Sequence, residues 1–249
     1  MRLFKKYFSS FRDINPDVLK VIALITMTMD HIGHVLFPGK YMILRFFGRF
    51  SFPIFAFLLA SHLSEKNLYK KYILRLFPFA VLSLILVTPF DVYVKETFKL
   101  SILWSLLLCI FTLFCLEKVS NERTPSFLKW VCYLLTLSIG LCLSLLVDYG
   151  YFGFLFIITL YGYFKTNKNI YLLLTLIFSF FLNSKGFFTY PLLIFIMCLT
   201  SLLVTFLLIV QKRPLSKNHK RFLKPWWFFY AYFPLHFFVL YIIYIFLNS

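Results

Sequence analysis

Residues 18–37 read VLKVIALITMTMDHIGHVLF, an apolar stretch in which an acid and an imidazole, Asp30 and His31, stand side by side. A helix needs about 20 apolar residues to cross the hydrocarbon of a bilayer, so this stretch predicts a membrane-spanning helix. An ionised Asp near the bilayer centre costs roughly 2.5–3.5 kcal/mol on insertion scales, and such residues are usually paired and functional. Because an imidazole changes charge near neutral pH, the pair indicates a site that handles protons.

The composition extends this interpretation to the whole chain of 249 residues. Hydrophobic residues make up 61% of it and charged residues 14%, against about 25% charged residues in a typical soluble domain. We therefore predict an all-α fold, a polytopic transmembrane helix bundle that forms one integral-membrane domain over residues 1–249. The chain has 26 Lys and Arg against 9 Asp and Glu, clustered at the ends of apolar segments, which argues for a topological signal and against nucleic-acid binding.

Apolar segments separated by polar turns predict about nine spans, of which the sixth and seventh are short enough to form one re-entrant unit. Basic residues concentrate in alternate loops, beginning with the N-terminal segment, which places the N-terminus in the cytoplasm and the C-terminus outside. No small-residue cleavage pattern follows the first apolar stretch, so an uncleaved first span in the cell membrane is expected. The predicted spans are 17–37, 43–63, 72–91, 100–116, 129–147, 150–164, 169–184, 189–210 and 226–247.

Few ionisable side chains fall at membrane depth, and those that do share a level between the bilayer centre and the outer leaflet. Asp30 and His31 lie on span one, Arg49 on span two and His236 on span nine, so one polar pocket is expected to hold all four. Neighbouring residues point about 100° apart on a helix, so Asp30 is not expected to orient His31. The five cysteines lie inside apolar segments without a CxxC pair, and neither a disulfide nor a metal site is expected.

The short loop between spans one and two predicts that these spans are antiparallel neighbours. An ion pair between Asp30 and Arg49, or between Asp30 and Arg45, would offset part of the cost of placing both charges in the membrane and would keep the carboxylate ionised. His31 would then act as a base on another face of the pocket. A purely structural clamp between the two spans is the alternative interpretation of the same pair. For His236, a ligand contact and a helix–helix hydrogen bond are both open.

Residues 19–33, LKVIALITMTMDHIG, resemble the opening of the TraX family, whose members acetylate the N-terminus of pilin subunits in conjugation systems. Residues 44–58 match the family's Gly-Arg-x-x-Phe-Pro pattern, and residues 69–76 fit the basic turn that follows it. Residues 148–150, DYG, and 230–236, YAYFPLH, are similar to later signatures of the family. The resemblance covers nearly the whole chain in order and is most specific in the N-terminal third.

The resemblance implies an acyltransferase of the bacterial plasma membrane that moves an acetyl group from acetyl-CoA to an amine or hydroxyl, on a peptide N-terminus or a glycan. It implies that His31, Asp30 and Arg49 form the catalytic centre. After span two the family favours an acidic residue and Gly, where this chain has Ser61 and His62, so the acceptor stays open.

Acyl transfer from a thioester needs a base, a positive charge or donor for the developing oxyanion, and a binding site for the donor substrate. His31 is the expected base, and Arg49 or Arg45 the expected oxyanion partner. The donor phosphates would favour the inner face, where residues 66–75 and 212–224 are basic. The residues expected to bind substrate are Arg45, His236, Asp148 and Tyr232, and those expected to bind acetyl-CoA are Lys212, Arg213, Lys220 and Arg221.

Two other function classes fit the same residues. Asp, His and Arg at membrane depth also make proton relays, so a proton-coupled transporter or flippase is the main alternative to an enzyme. A membrane assembly partner without an active site is the third. The sequence leaves open the acceptor, the acyl chain length and the oligomeric state, while the lipid bilayer is the one partner that composition itself requires.

Overall fold

The computed structural model describes residues 15–37, 41–66, 68–89, 98–122, 125–184, 190–210, 225 and 227–248. Over these residues the protein consists of helices joined by turns, with an isolated backbone bridge between Leu100 and Val147, and the predicted all-α fold is confirmed for them. The helices are α1 (Pro16–Val35), α2 (Met42–Gly48), α3 (Ser51–Lys66), α4 (Tyr69–Leu86), α5 (Ile102–Asn121), α6 (Ser126–Ser144), α7 (Gly150–Thr166), α8 (Asn169–Phe181), α9 (Pro191–Val210) and α10 (Phe228–Asn248).

Six of the described segments are long and apolar enough to cross a membrane, which makes this a multi-pass membrane protein. One of them, Met42–Glu65, contains both α2 and α3, which are separated by a turn at residues 49–50. α8 is apolar but shorter, and the first two turns of α4 carry three basic residues. The nine-span count and the orientation of the termini therefore stay predictions. The other five segments are Pro16–Val35, Ile102–Asn121, Ser126–Ser144, Pro191–Val210 and Phe228–Leu247.

The centre of the bundle is formed by α3 and α7, which pack on each other. α3 also contacts α1 and α9, while α7 also contacts α5, α6 and α8. Between the two central helices, Phe52 meets Phe156 and Phe57 meets Phe164, with ring centroids 6.1 and 5.3 Å apart. Lipid tails are as apolar as these rings, so close packing rather than exclusion of water holds α3 and α7 together.

The helix that carries Asp30 and His31 begins at a strong local signal. The side chain of Asn15 accepts a hydrogen bond from the backbone N–H of Asp17 at 2.9 Å, and Pro16 occupies the first helical position. From there α1 packs along α2, α3 and α10. We call the end of the bundle where α1 finishes the site end, and the opposite end, where α4 begins, the basic end.

The close approach of α1 and α2 depends on glycine. A Cβ atom added to Gly48 would lie 2.2 Å from the Cβ atom of Asp30, and one added to Gly33 would lie 2.9 Å from the Cβ atom of Leu44. Two Cβ atoms do not come this close, so the absence of a side chain at Gly48 lets the backbone of α2 lie directly against Asp30. The first two predicted spans are therefore neighbours, as the short loop between them indicated.

The turn between α6 and α7 fixes Asp148 and Tyr149 at the site end. Tyr149 has φ 62° and Gly150 has φ 54°, a left-handed conformation that is unusual for a residue with a large side chain. The backbone N–H of Asp148 donates to the carbonyl oxygen of Leu100 at 2.9 Å, and the ring of Tyr149 stacks on Phe52 with centroids 3.9 Å apart. These contacts anchor the turn to both α3 and the segment that leads into α5.

Replacing Gly48 with Ala is expected to lower the melting temperature of the purified protein more than replacing Gly33 with Ala. The new methyl group at residue 48 has to displace the base of the Asp30 side chain, and overpacking of this kind costs about 1–3 kcal/mol. Thermal unfolding of both variants in the same detergent measures the difference. Two unchanged melting temperatures would contradict the close approach of α1 and α2.

Candidate functional site

A cavity of about 520 Å³, which we call the site cavity, lies at the site end of the bundle. Its volume is within the range of roughly 300–1,000 Å³ that is usual for small-molecule sites. The wall comes from α1, α2, α9 and α10, from the starts of α3 and α5 and from the turns after α2, α4, α6 and α8. The ionisable side chains other than tyrosine that line it are Asp30, His31, His34, Arg45, Arg49 and Asp148.

Within the site cavity, Asp30 faces two guanidinium groups. Its Oδ1 atom lies 3.4 Å from Nε of Arg45 and 3.9 Å from Nη2 of Arg49. Arg45 also reaches Nδ1 of His34 through its Nη1 atom, at 3.0 Å. A guanidinium has only donors, so Nδ1 of His34 accepts this bond and carries no proton.

The charges of this cluster attract one another without forming close hydrogen bonds. Oδ1 of Asp30, Nε of Arg45 and Nε of Arg49 are buried and have no hydrogen-bond partner among the described residues. A buried polar group left without a partner costs about 1–3 kcal/mol, so a bound oxygen-rich ligand or ordered water would stabilise the cluster. A purely structural clamp would be expected to pair these atoms more closely, and the looseness favours a binding role.

The two histidines predicted for the pocket contact each other. Nδ1 of His31 lies 2.7 Å from Nε2 of His236, and Nδ1 of His236 lies 2.7 Å from the backbone oxygen of Tyr232. A carbonyl oxygen only accepts, so His236 carries a proton on Nδ1. With both rings neutral, Nε2 of His236 then accepts the proton on Nδ1 of His31. The ring nitrogen of His31 that has no proton is therefore Nε2.

Helix α10 packs against His31 on several sides. The rings of Phe233 and Phe237 meet the imidazole of His31 edge-on, with centroids 5.8 and 5.0 Å away. One turn before His31 along α1, Oγ1 of Thr28 lies 2.8 Å from the hydroxyl oxygen of Tyr232. The orientation of the His31 ring is thus fixed by an adjacent helix as well as by its own.

Residues 15–244 match the family described as TraX protein. The chain belongs to the TraX family. This match confirms the resemblance seen in the sequence, and it covers every helix that supplies the site cavity. An uncharacterized protein of Rickettsia prowazekii (strain Madrid E) is 30% identical over 136 residues, which are 54% of this chain and 50% of the relative, so the chain spans about half the length of that relative. No solved structure matches significantly.

In this TraX-family protein the structure brings together most of the residues predicted for the site. Asp30, His31, Arg45, Arg49 and Asp148 all line the site cavity. The catalytic and binding roles assigned to them stay predictions. Within the described residues, no group of three or more His, Cys, Asp or Glu is arranged to hold a metal ion.

Two predicted substrate-binding residues of the TraX-family chain lie elsewhere. Tyr232 and His236 are not among the described residues that line the site cavity. His236 lies behind His31, to which it is hydrogen-bonded, and Tyr232 supports His236 through its backbone oxygen. Both residues therefore lie behind His31 as seen from the cavity, and the substrate-binding role predicted for them stays a prediction. The predicted acetyl-CoA residues Lys212, Arg213, Lys220 and Arg221 lie outside the described residues.

Asn183 lines the site cavity and was not predicted from the sequence. It lies in the turn after α8, is 7% exposed and donates from Nδ2 to the hydroxyl oxygen of Ser201 on α9. A side-chain amide has two N–H donors and a carbonyl acceptor, so this one bond leaves further capacity for a ligand. The signal in the sequence was weak, a single amide at the end of an apolar segment.

A double-mutant cycle in this TraX-family protein tests the charged cluster. Asp30→Asn is expected to couple to Arg45→Gln more strongly than to Arg49→Gln, because the distance from Oδ1 is 3.4 Å in the first pair and 3.9 Å in the second. Removing one member of a fully buried pair costs about 3–5 kcal/mol because the other charge stays buried, and the loss should be smaller for these half-buried side chains. Each double variant should therefore lose less stability than the sum of the losses in its two single variants.

Melting temperatures of the single and double variants in detergent measure this coupling. Asp30→Asn combined with Lys168→Gln, an exposed residue at the basic end, is the matched control and should be additive. Additive losses in the Asp30 and Arg45 cycle would show that the two charges do not interact.

Proposed function

We propose that this protein is an integral-membrane acyltransferase that moves an acetyl group from acetyl-CoA to an amine or hydroxyl presented at the membrane. The proposal rests on His31, whose ring lines the site cavity beside Arg45 and Arg49 and whose Nδ1 atom is engaged by His236. A positioned base and cationic N–H donors are the two groups that acyl transfer from a thioester requires. Membership of the TraX family supports the same reaction.

In the proposed reaction His31 acts as the general base. The acceptor nitrogen or oxygen forms a bond to the acetyl carbon while its proton moves to Nε2 of His31. The C–S bond of the thioester then breaks, and the proton passes from His31 to the departing thiolate. Positioned proton transfer of this kind contributes roughly 10²–10⁴ in rate.

His236 acts on the reaction through His31. Its Nε2 atom holds the proton of His31 on Nδ1, which keeps Nε2 of His31 ready to accept the acceptor's proton. When His31 becomes charged, the same bond lets the two imidazoles share the positive charge. The backbone oxygen of Tyr232 holds His236 in the matching tautomer.

The guanidinium groups of Arg45 and Arg49 supply the N–H donors that stabilise the developing oxyanion. The thioester oxygen becomes negative as the acceptor attacks, and N–H donors placed beforehand at that oxygen lower the barrier. Arg49 is the better placed of the two, since its side chain is 14% exposed, against 31% for Arg45, and Arg45 already donates to Nδ1 of His34 and lies nearer to Asp30. The carboxylate of Asp30 attracts both Arg45 and Arg49 into the site cavity, but its distances of 3.4 and 3.9 Å to them leave their N–H groups available to a substrate.

The positions of charge along the bundle support one side of the membrane for each substrate. The site cavity lies at the end opposite the lysine-rich turns, so in this proposal the positive-inside rule puts it towards the outer side of the bacterial plasma membrane. Acetyl-CoA would bind with its phosphates at the basic end and present its thioester towards His31. A peptide N-terminus or glycan would enter from outside, past Arg45, Asp148 and Asn183.

Replacing His31 with Ala is expected to reduce acetyl transfer by at least about 100-fold, because the acceptor then loses its base. The measurement is label recovered in product after [¹⁴C]acetyl-CoA is supplied to proteoliposomes mixed with envelope extract from the source cells. His62→Ala is the matched control, since His62 contacts the backbone oxygen of Leu58 within α3 and is not among the described lining residues.

Full activity of His31→Ala would remove His31 from the mechanism. A wild-type protein that transfers no label, but moves protons or a solute in response to a pH gradient, would replace the enzyme with the transporter. Folding of each variant is checked by gel filtration and melting temperature before its activity is compared.

The role of His236 predicts a graded series. His236→Leu is expected to lower turnover by about tenfold, the effect of losing one hydrogen bond that holds the base. His236→Gln should recover part of this loss, because its side-chain oxygen can accept the proton on Nδ1 of His31. Tyr232→Phe should lower turnover less than His236→Leu, since it loses only the bond to Thr28 and keeps the backbone oxygen that holds His236. Equal turnover in the Leu and Gln variants would contradict the positioning role.

A further inference from the structure

The basic end of the bundle contains a second cavity of about 280 Å³, which we call the basic pocket. It lies where the start of α4 meets the last turns of α5, at the opposite end from the site cavity. Its lining residues are Leu68, Tyr69, Lys70, Lys71 and Phe114. The proposed acetyl transfer places the donor phosphates at this end of the bundle but assigns the expected acetyl-CoA contacts to residues outside this pocket, and the packing of the core gives the pocket no role.

The basic pocket is surrounded by positive charge. Lys70 and Lys71 line it and are exposed, and Nζ of Lys118 lies 5.3 Å from the centroid of the Phe114 ring in the same wall. Within the described residues, none of these three lysines forms a salt bridge. Three ammonium groups around one opening favour an anionic ligand.

The polar groups beneath the pocket do not neutralise this charge. Glu117 is paired with Lys165 and accepts a bond from the hydroxyl of Tyr161 at 3.4 Å. The hydroxyl of Tyr69 lies 2.6 Å from that of Tyr161, and burial raises the pKa of Tyr69 above its usual range, so its hydroxyl stays protonated. Glu117 is therefore already paired, and the tyrosine hydroxyls add no negative charge next to Lys70 and Lys71.

Exposed apolar side chains continue from the pocket along both helices towards the middle of the bundle. On α4, Leu74 and Phe77 follow Lys70 at helical spacing and are 75% and 51% exposed. On α5, Phe111 lies two turns from Lys118 towards the same region and is 58% exposed. α4 and α5 are packed neighbours, so the two apolar rows run side by side away from the lysines.

We propose that the basic pocket binds the phosphate-bearing headgroup of an anionic membrane lipid, with an acyl chain lying along the apolar rows of α4 and α5. Basic pockets between membrane helices on the cytoplasmic side bind such headgroups. The apolar rows of α4 and α5 offer contacts to an acyl chain, which a lipid has and a free phosphate lacks. Free phosphate compounds, acetyl-CoA among them, carry the same phosphate chemistry but make no use of Leu74, Phe77 or Phe111. The lipid site does not depend on the proposed enzyme activity.

The test is a titration of the purified, delipidated full-length protein with dioleoyl phosphatidylglycerol, with binding followed by native mass spectrometry. The double variant Lys70→Gln and Lys71→Gln is expected to bind at least about tenfold more weakly than wild type, because each lysine near an anionic headgroup contributes roughly fivefold. Lys129→Gln combined with Lys168→Gln removes the same charge at the basic end outside the pocket, and is the matched control. Dioleoyl phosphatidylcholine, glycerol phosphate and acetyl-CoA are titrated in parallel.

Tight phosphatidylglycerol binding by wild type and by the control, weakened in the pocket variant, supports the proposal. Equally weakened phosphatidylglycerol binding in both double variants would show that the lysines act only by general charge attraction, and would overturn the proposal. Glycerol phosphate or acetyl-CoA binding at this pocket as tightly as phosphatidylglycerol would also overturn it, in favour of a site for free phosphate compounds. Lys70, Lys71 and Lys168 are exposed and Lys129 is half-buried with one bond to the backbone oxygen of Ser120, so melting temperatures close to that of wild type should accompany either result.

Discussion

A carboxylate at membrane depth has to lie beside positive charge, and the arrangement of the site end follows from that constraint on Asp30. The compensating charges come from Arg45 and Arg49, which can come near because α2 carries no side chain at Gly48. The turn at residues 49–50 then redirects the chain into α3, which forms the centre of the bundle. The need to place positive charge beside Asp30 therefore also determines how α1, α2 and α3 pack on one another.

The part of this arrangement that could be predicted from sequence is the part governed by local rules. Long apolar stretches predict helices because a bilayer offers the backbone no other hydrogen-bond partners, and a short loop predicts neighbouring spans. A lone acid in such a stretch requires a cation, and Arg45 and Arg49 follow at the matching depth on the next span. These inferences need only the position of each residue along its predicted span and the length of the loop between the spans. They correctly predicted that Asp30 and both arginines lie in one cavity.

The parts that could not be predicted depend on contacts between distant segments. Depth placed His236 near His31, but only the packing of α10 shows that the two rings are hydrogen-bonded and that His236 is not among the described residues that line the cavity. The inward position of Asn183 depends on the turn after α8 and on Ser201 of the next helix. The left-handed backbone of Tyr149 is likewise sustained by Leu100 and Phe52, and no local preference of a tyrosine would have indicated it.

The bond between His31 and His236 joins residues 205 positions apart, which has a consequence for biogenesis. At translation rates of about 5–20 residues per second, α10 leaves the ribosome roughly 10–40 s after α1. During that interval the nascent chain already holds its buried acid and both arginines but cannot make the imidazole pair. The wall of the site cavity is therefore completed only when α10 docks, so a chain stalled during insertion would lack the imidazole pair as well as Phe233 and Phe237 of that wall.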